Sequence, residues 1–307
     1  MPLSTIFSRA QRGIDAPRVT IEVHVSNGLP GLSIVGLAET SVKESKDRVR
    51  SALLNSGFTL PPRRITIALA PADLRKEGGR FDLAIAIGIL VATEQIECTN
   101  LNQIEFIGEL ALSGALGNTP GALPAAMAAQ AAGKQLLAPK ENAQEACLVG
   151  NDLIIPAEHL LEVCAHLTNT QAITPATLED KQTSNDYPLD MQDVSGQQHA
   201  KRALEIAAAG QHNLLMVGPP GTGKTMLASR LPSIMPLMST KEALEVAAIY
   251  SISQQLKPQW LQRPFRTPHH TSSGVALVGG GSKPKPGEIS LAHKGVLFID
   301  HSRLFLM

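Results

Sequence analysis

Eight consecutive residues, Gly218-Pro219-Pro220-Gly221-Thr222-Gly223-Lys224-Thr225, have the types and spacing needed to cradle a run of phosphates. The glycines let backbone N–H groups turn inward with no Cβ in the way. Lys224 brings a mobile positive charge to the outer phosphates. Thr225 offers a hydroxyl to Mg²⁺. Such a loop works between a buried strand and a helix whose N-terminus adds its positive dipole end. The apolar run Asn213–Val217 is therefore expected to be a strand, and a helix is expected to start at Lys224 and run through Met226 to Leu231. The metal needs an acid at the end of a second apolar strand. Asp300, closing Val296-Leu297-Phe298-Ile299, fits that requirement. The expected ligands are ATP and Mg²⁺, with Thr225 and Asp300 on the metal.

A second group of residues could contact phosphates of another kind. Arg263, Arg266, His269, His270, Lys283 and Lys285 lie in one Gly/Pro-rich segment. Its local positive charge suits a nucleic-acid backbone, and it suits a solvated loop equally well. A zinc site from His269, His270 and His293 is disfavoured because no nearby cysteine completes it.

The elements that must position these groups fall into two stretches. Arg18 to Ser26 alternates, with Val19, Ile21, Val23 and Val25 on one face of a strand. Ser41-Val42-Lys43-Glu44 is a capping box, followed by Val42, Val49 and Leu53 on one helical face and a stop at Gly57. Ile65, Ile67 and Leu69 form the next strand, ended by Pro71. Phe81 to Ala92 reads as a buried helix, Ile104 to Leu112 as a strand, and Ala122 to Ala132 as a helix closed by Gly133. This alternation argues for a mixed α/β domain over residues 1–166. Leu167 to Asp190 is rich in Thr, Asn, Ser and Pro and reads as a linker. Residues 191–307 form the phosphate-binding part, with a helix opened by Ser195-Gly196-Gln197-Gln198 and stopped at Gly210.

Composition sets the outer limits. The 307 residues are 43% hydrophobic and 18% charged, enough to bury a core for about two domains. The formal net charge is zero, which excludes a whole-chain basic footprint. No apolar run is long enough to span a bilayer. The N-terminus has no apolar export segment. Cys98, Cys147 and Cys164 are sparse and unpaired in spacing, as in a reduced, cytoplasmic protein, and read as small buried hydrophobes.

With these motifs in hand, the chain resembles the AAA+ ATPases of the magnesium-chelatase-like group, in the ComM/YifB subfamily. The resemblance rests on the phosphate loop and on Asp193-Val194-Ser195-Gly196-Gln197, the segment that packs on adenine in this group, so Val194 is implied as a nucleotide contact. It rests also on Arg263 to Thr271, on Leu277-Val278-Gly279-Gly280-Gly281 and on Pro286 to His293. It implies an α/β chain made of a Lon-protease-like (ribosomal protein S5 domain 2-like) α+β domain followed by a partial P-loop AAA+ core. It implies hexameric, ATP-driven motors acting on DNA, with the inserts at the ring interior. In the Lon-like domain the catalytic serine would fall near Arg80 and the lysine near Leu123. Neither group is present, so peptidase chemistry is disfavoured.

The sequence leaves the family pattern after Asp300. His301 stands where the resemblance implies a glutamate that activates water, and Ser302 to Met307 match nothing in it. The implied polar sensor, arginine finger and lid would all come later. The chain thus reads as truncated or frameshifted, able to hold MgATP but hydrolysing it poorly, since losing a positioned base costs roughly 10²–10⁴ in rate. A non-catalytic nucleotide-binding or assembly module is the alternative.

Overall fold

The computed structural model describes residues 3–36, 40–178, 187–253, 255, 259–269, 271–280 and 284–300, with Thr40, Ser41 and Lys43 described by backbone alone. His270, Lys283 and His301 lie outside the described residues. The chain divides into two compact units, Met1–Glu179 and Asp180–Met307.

The first unit runs β1 (Leu3–Arg9), β2 (Arg18–Ser26), β3 (Gly31–Val35), α1 (Thr40–Asn55), β4 (Arg64–Ala70), α2 (Asp82–Ala92), β5 (Ile104–Phe106), β6 (Glu109–Leu110), β7 (Leu116–Gly117), α3 (Ala122–Ala131), β8 (Gln135–Pro139), α4 (Ala143–Ala146), β9 (Ile154–Ala157) and α5 (Leu160–Leu167). Seven strands make one mixed sheet in the order β3-β4-β2-β1-β5-β8-β9. β2 pairs antiparallel with β1 and β4, and the remaining neighbours are parallel. Strand alternation sets the register. Ile6 faces Ile21 and Ile21 faces Leu69, all buried in the larger core. Against them lies α2, apolar on every side and buried along nearly its whole length, as its sequence predicts. Its Gly88 permits the approach, since a Cβ there would stand 2.7 Å from Val23 Cγ2. Val42, Val49 and Leu53 of α1 close the same core. A smaller core, under α3 and α4, holds Ile107, Leu136, Ala138 and Ile154.

Three local expectations differ from this structure. The strand expected over Ile104–Leu112 breaks after Phe106. There the Gly108 N–H turns to the Arg80 carbonyl (3.0 Å) and a Gly108 Cβ would sit 2.8 Å from Leu116 Cδ2. α1 starts at Thr40, which puts Ser41 inside the first turn instead of at the cap. Past α5, Ile173, Ala176 and Leu178 pack back on the two cores, and the Ala176 N–H reaches the Ile154 carbonyl at 2.8 Å.

The second unit holds α6 (Gln198–Gly210), α7 (Lys224–Ser229), α8 (Leu231–Ile234), α9 (Thr240–Ser253), β10 (Phe265–Arg266), α10 (Gly274–Val278), β11 (Gly279–Gly280), β12 (Lys285–Pro286), α11 (Glu288–Leu291) and β13 (Val296–Leu297). β10 and β13 pair in parallel, and β11 and β12 antiparallel. Two small cores hold it. Met238, Ala243, Val246, Tyr250 and Leu291 make one, and Met191, Val194, Leu204 and Leu227 the other. The expected cap at Ser195 is not used. Gln197 precedes α6 in the left-handed region with no side-chain cap bond, and the capping box forms earlier, between Asp190 and Asp193. Among the described residues no helix is long and apolar enough to cross a membrane.

Candidate nucleotide site

The phosphate loop has the backbone its composition calls for. Gly221 and Gly223 sit at φ +82° and +85°, a region that disfavours any residue with a Cβ. Gly223 is the N-cap of α7, so the first helical residue is Lys224, as expected. The Lys224 ammonium folds back over the loop, donating to the carbonyls of Gly218 (2.9 Å) and Pro219 (3.0 Å). The Thr222 hydroxyl donates to the Pro219 carbonyl at 2.9 Å and ties the loop across its base. These lysine bonds go to neutral acceptors, so anionic phosphate oxygens can replace them with ion-paired ones. Thr225 is exposed in the first turn of α7, and Asp300 is half-buried just past the end of β13.

Beside the loop lies a cavity of about 480 Å³. Gln197, Ala200 and Ala203 of α6 form one wall, and Leu214 to Pro219, Thr222, Lys224 and Leu227 form the other. That volume lies within the usual range for small-molecule sites. Gln197 ends the segment implied against adenine, whereas sequence reasoning did not single out Ala200 or Ala203 as site residues. The signal available was the amphipathic pattern of α6, whose apolar stripe runs through Ala200, Ala203, the buried Leu204 and the buried Ala207. Val194, expected against adenine, is 2% exposed and packs with Met191, Leu204 and Leu227. Its side chain supports the α6 wall from within the core.

The strand expected ahead of the loop requires correction. Leu214 to Val217 is not paired in a ladder with any described strand, and Leu215 and Val217 are 86% and 83% exposed. Only Met216 packs inward, against the core of Met191, Val194, Leu204 and Leu227. The apolar composition was read correctly as strand-like, but a strand needs a neighbour. β13, which leads to Asp300, pairs with β10, and a cavity of about 310 Å³ is lined by Leu214 and Met216 together with Val296–Phe298.

The basic segment is also built differently from the expectation. Arg263 is 6% exposed and donates to the carbonyls of Pro236 (2.6 Å) and Lys294 (2.7 Å). Arg266 grips Glu288 through both arms of its fork, at 2.6 and 2.7 Å. Both guanidinium groups thus brace β10 against neighbouring segments. His269 is exposed, with Nδ1 2.7 Å from the Thr271 hydroxyl. Among the described residues no group of three or more His, Cys, Asp or Glu side chains could hold a metal ion.

In the first unit, the positions where a Lon-type dyad would fall hold a buried Arg80 and a fully buried Leu123. Burial pulls the Arg80 guanidinium down to about 10. It donates to the Gln11 side-chain oxygen at 3.2 Å and the Pro120 carbonyl at 3.3 Å. No nucleophile or base stands at these two positions. Close by, burial pushes the Asp82 carboxyl up to about 6, against the pull of Arg48, whose Nε lies 2.7 Å away. Burial raises the Cys147 thiol and pushes that of Cys164 up to about 12, as for packing residues.

The family model described as magnesium chelatase, subunit ChlI, matches residues 190–306, and that described as subunit ChlI of Mg-chelatase matches residues 21–142. The first match runs past Asp300, where the sequence alone showed the resemblance ending. The chain is 54% identical over 302 residues to the YifB protein of Salmonella typhimurium and 55% identical over 306 residues to the competence protein ComM of Haemophilus influenzae. Each alignment covers 98% of this chain and 60% of the relative, so the chain spans well under two thirds of their length. A shorter likeness, 40% over 57 residues, links 19% of the chain to 8% of the archaeal Lon protease of Archaeoglobus fulgidus. The chain therefore belongs to the magnesium chelatase family, as a ComM/YifB-like member with an AAA+ ATPase-like second unit.

Proposed function

We propose that this chain binds MgATP through its second unit, hydrolyses it poorly, and serves a DNA-directed AAA+ assembly of the ComM type. The observation that carries this reading is the loop itself. Gly221 and Gly223 hold left-handed backbone, Lys224 bends over the loop carbonyls, and a cavity with an α6 wall opens alongside. Backbone N–H groups of the loop and the ammonium of Lys224 would hold the phosphates, and the α6 wall, supported by Val194, would flank the base. Thr225 and Asp300 would hold Mg²⁺, which when bound neutralises charge on the phosphate oxygens. The first unit would carry a Lon-like fold without peptidase chemistry, since Arg80 and Leu123 occupy the dyad positions. By analogy with the motors of this group, the assembly would be a cytoplasmic homo-oligomer, a hexameric ring.

Poor turnover follows from the residue after Asp300. His301 has neither the charge nor the shape of the glutamate implied there. Steady-state ATP turnover on the purified chain, with and without DNA, tests the reading. The expected result is saturable MgATP binding with turnover roughly 10²–10⁴ below that of a competent motor. Sustained magnesium-dependent hydrolysis at motor rates would remove the impaired-hydrolysis part. Failure to bind MgATP at all would remove the whole.

A further inference from the structure

The two faces of the seven-stranded sheet are covered unequally. α1, α2 and α5 close one face with the larger core. On the other face α3 and α4 cover the region of β5, β8 and β9, and none of the buried members of that smaller core comes from β2, β3 or β4. Alternation sends Thr5 and Phe7 of β1, Thr20 of β2, Thr66 of β4 and Ser33 of β3 to the uncovered part, all half-buried. Thr5, Thr20, Ser33 and Thr66 are short, and Leu3, Glu22, His24 and Val35 stand around them on the same face.

Phe7 organises the charge here. The Arg18 guanidinium carbon lies 5.0 Å from the ring centroid and the Lys134 ammonium 5.1 Å from it. The ring's negative face holds both cations without neutralising them. Lys134 also donates to the Asn102 carbonyl, a neutral group. Among the described residues neither Arg18 nor Lys134 forms an ion pair, whereas several arginines elsewhere do. At the other end of β2, Ser26 faces the exposed Arg64 on β4, about 26 Å from Arg18 at ~3.3 Å per residue. Glu22 is the acid between them on β2.

We propose that this open face of β1, β2, β4 and β3 binds a single strand of DNA, with Arg18 and Lys134 on its phosphates and the short side chains beneath its bases. The inference rests on the DNA-directed reading above and moves the contact surface to the first unit. Charge complementarity favours a nucleic acid over a protein, since two cations without acid partners among the described residues flank an aromatic ring. A strand with exposed bases fits a flat face better than a duplex, which buries its bases and offers grooves.

The test is fluorescence anisotropy of a labelled oligothymidylate strand across a salt series, on the wild-type chain and on Arg18→Gln/Lys134→Gln. Melting temperature and MgATP affinity serve as fold controls, since neither residue belongs to the two cores of the first unit. Loss of two phosphate contacts should lower the salt slope of log K by about 1.4 and weaken binding on the order of tenfold or more at low salt. Wild-type binding with an unchanged slope in the double variant would overturn the proposal and leave the DNA-directed reading standing. No binding by the wild-type chain at any salt would remove both. A duplex of equal length competing as well as the strand, or polyglutamate displacing it at equal charge, would overturn the choice of ligand.

Discussion

Replacing Arg263 by alanine separates two roles that the sequence could not tell apart. A phosphate-contacting arginine is exposed and costs little stability when removed. Arg263 is instead buried, with two donors on backbone carbonyls at 2.6 and 2.7 Å and Glu242 3.9 Å from its other arm. Hydrogen bonds from a charged donor contribute about 1.5–3 kcal/mol each, and a buried carbonyl left unpaired costs about 1–3 kcal/mol. The two losses overlap, because each counts the same bond from one side. A total of about 3 kcal/mol is therefore expected, large against the few to ~15 kcal/mol that hold a domain. Trp260, the chain's single tryptophan, packs partly buried against the core that includes Met238 and Tyr250, so its fluorescence reports the second unit alone. Urea unfolding followed at Trp260 should show the midpoint falling with the slope unchanged. A midpoint within error of wild type, together with a tenfold loss of DNA affinity, would refute the bracing role and restore the contact role.

Gly223→Ala forces a Cβ into left-handed backbone at φ +85° and should cost about 1–2 kcal/mol, with MgATP affinity falling as the loop relaxes; calorimetry of binding checks it. Gly88→Ala places a methyl 2.7 Å from Val23 Cγ2 and should destabilise the first unit by about 1–3 kcal/mol, measured by thermal unfolding. Asp82 titrates near 6 in the fold against 3.8 when unfolded, so its contribution to stability is full below pH 3.8 and is lost as pH rises through 6. Unfolding free energy should therefore gain about 1 kcal/mol from this group between pH 7 and 5, and Asp82→Asn should flatten that slope.

How far the sequence revealed the fold depended on where each residue finds its partner. β2 and α2 were plain because period-two alternation and an unbroken apolar run need no distant information. The phosphate loop was plain for the same reason, since its glycines and Lys224 act on one another within a few residues. Leu214 to Val217 was misjudged because a strand exists through its neighbours, and β13 pairs elsewhere. The bonds of Arg263 and Arg266 were not legible because Pro236, Lys294 and Glu288 lie 22 or more residues away in sequence. α9 was legible but passed over. Ser239 and Glu242 form a capping box, with the Ser239 N–H reaching Glu242 Oε2 at 3.0 Å, and Ala243, Val246 and Tyr250 repeat at helical spacing.

Equilibrium binding of MgATP to the wild-type chain and to Lys224→Ala is the most direct measurement of the central claim. Lys224 is half-exposed and, among the described residues, its ammonium bonds the loop carbonyls of Gly218 and Pro219, so its removal should leave the fold intact. Saturable binding by the wild-type chain and a loss on the order of tenfold or more in the variant are expected, since a charge-assisted contact to phosphate contributes about 1.5–3 kcal/mol. Equal affinity in both proteins, or no binding by either, would contradict the claim.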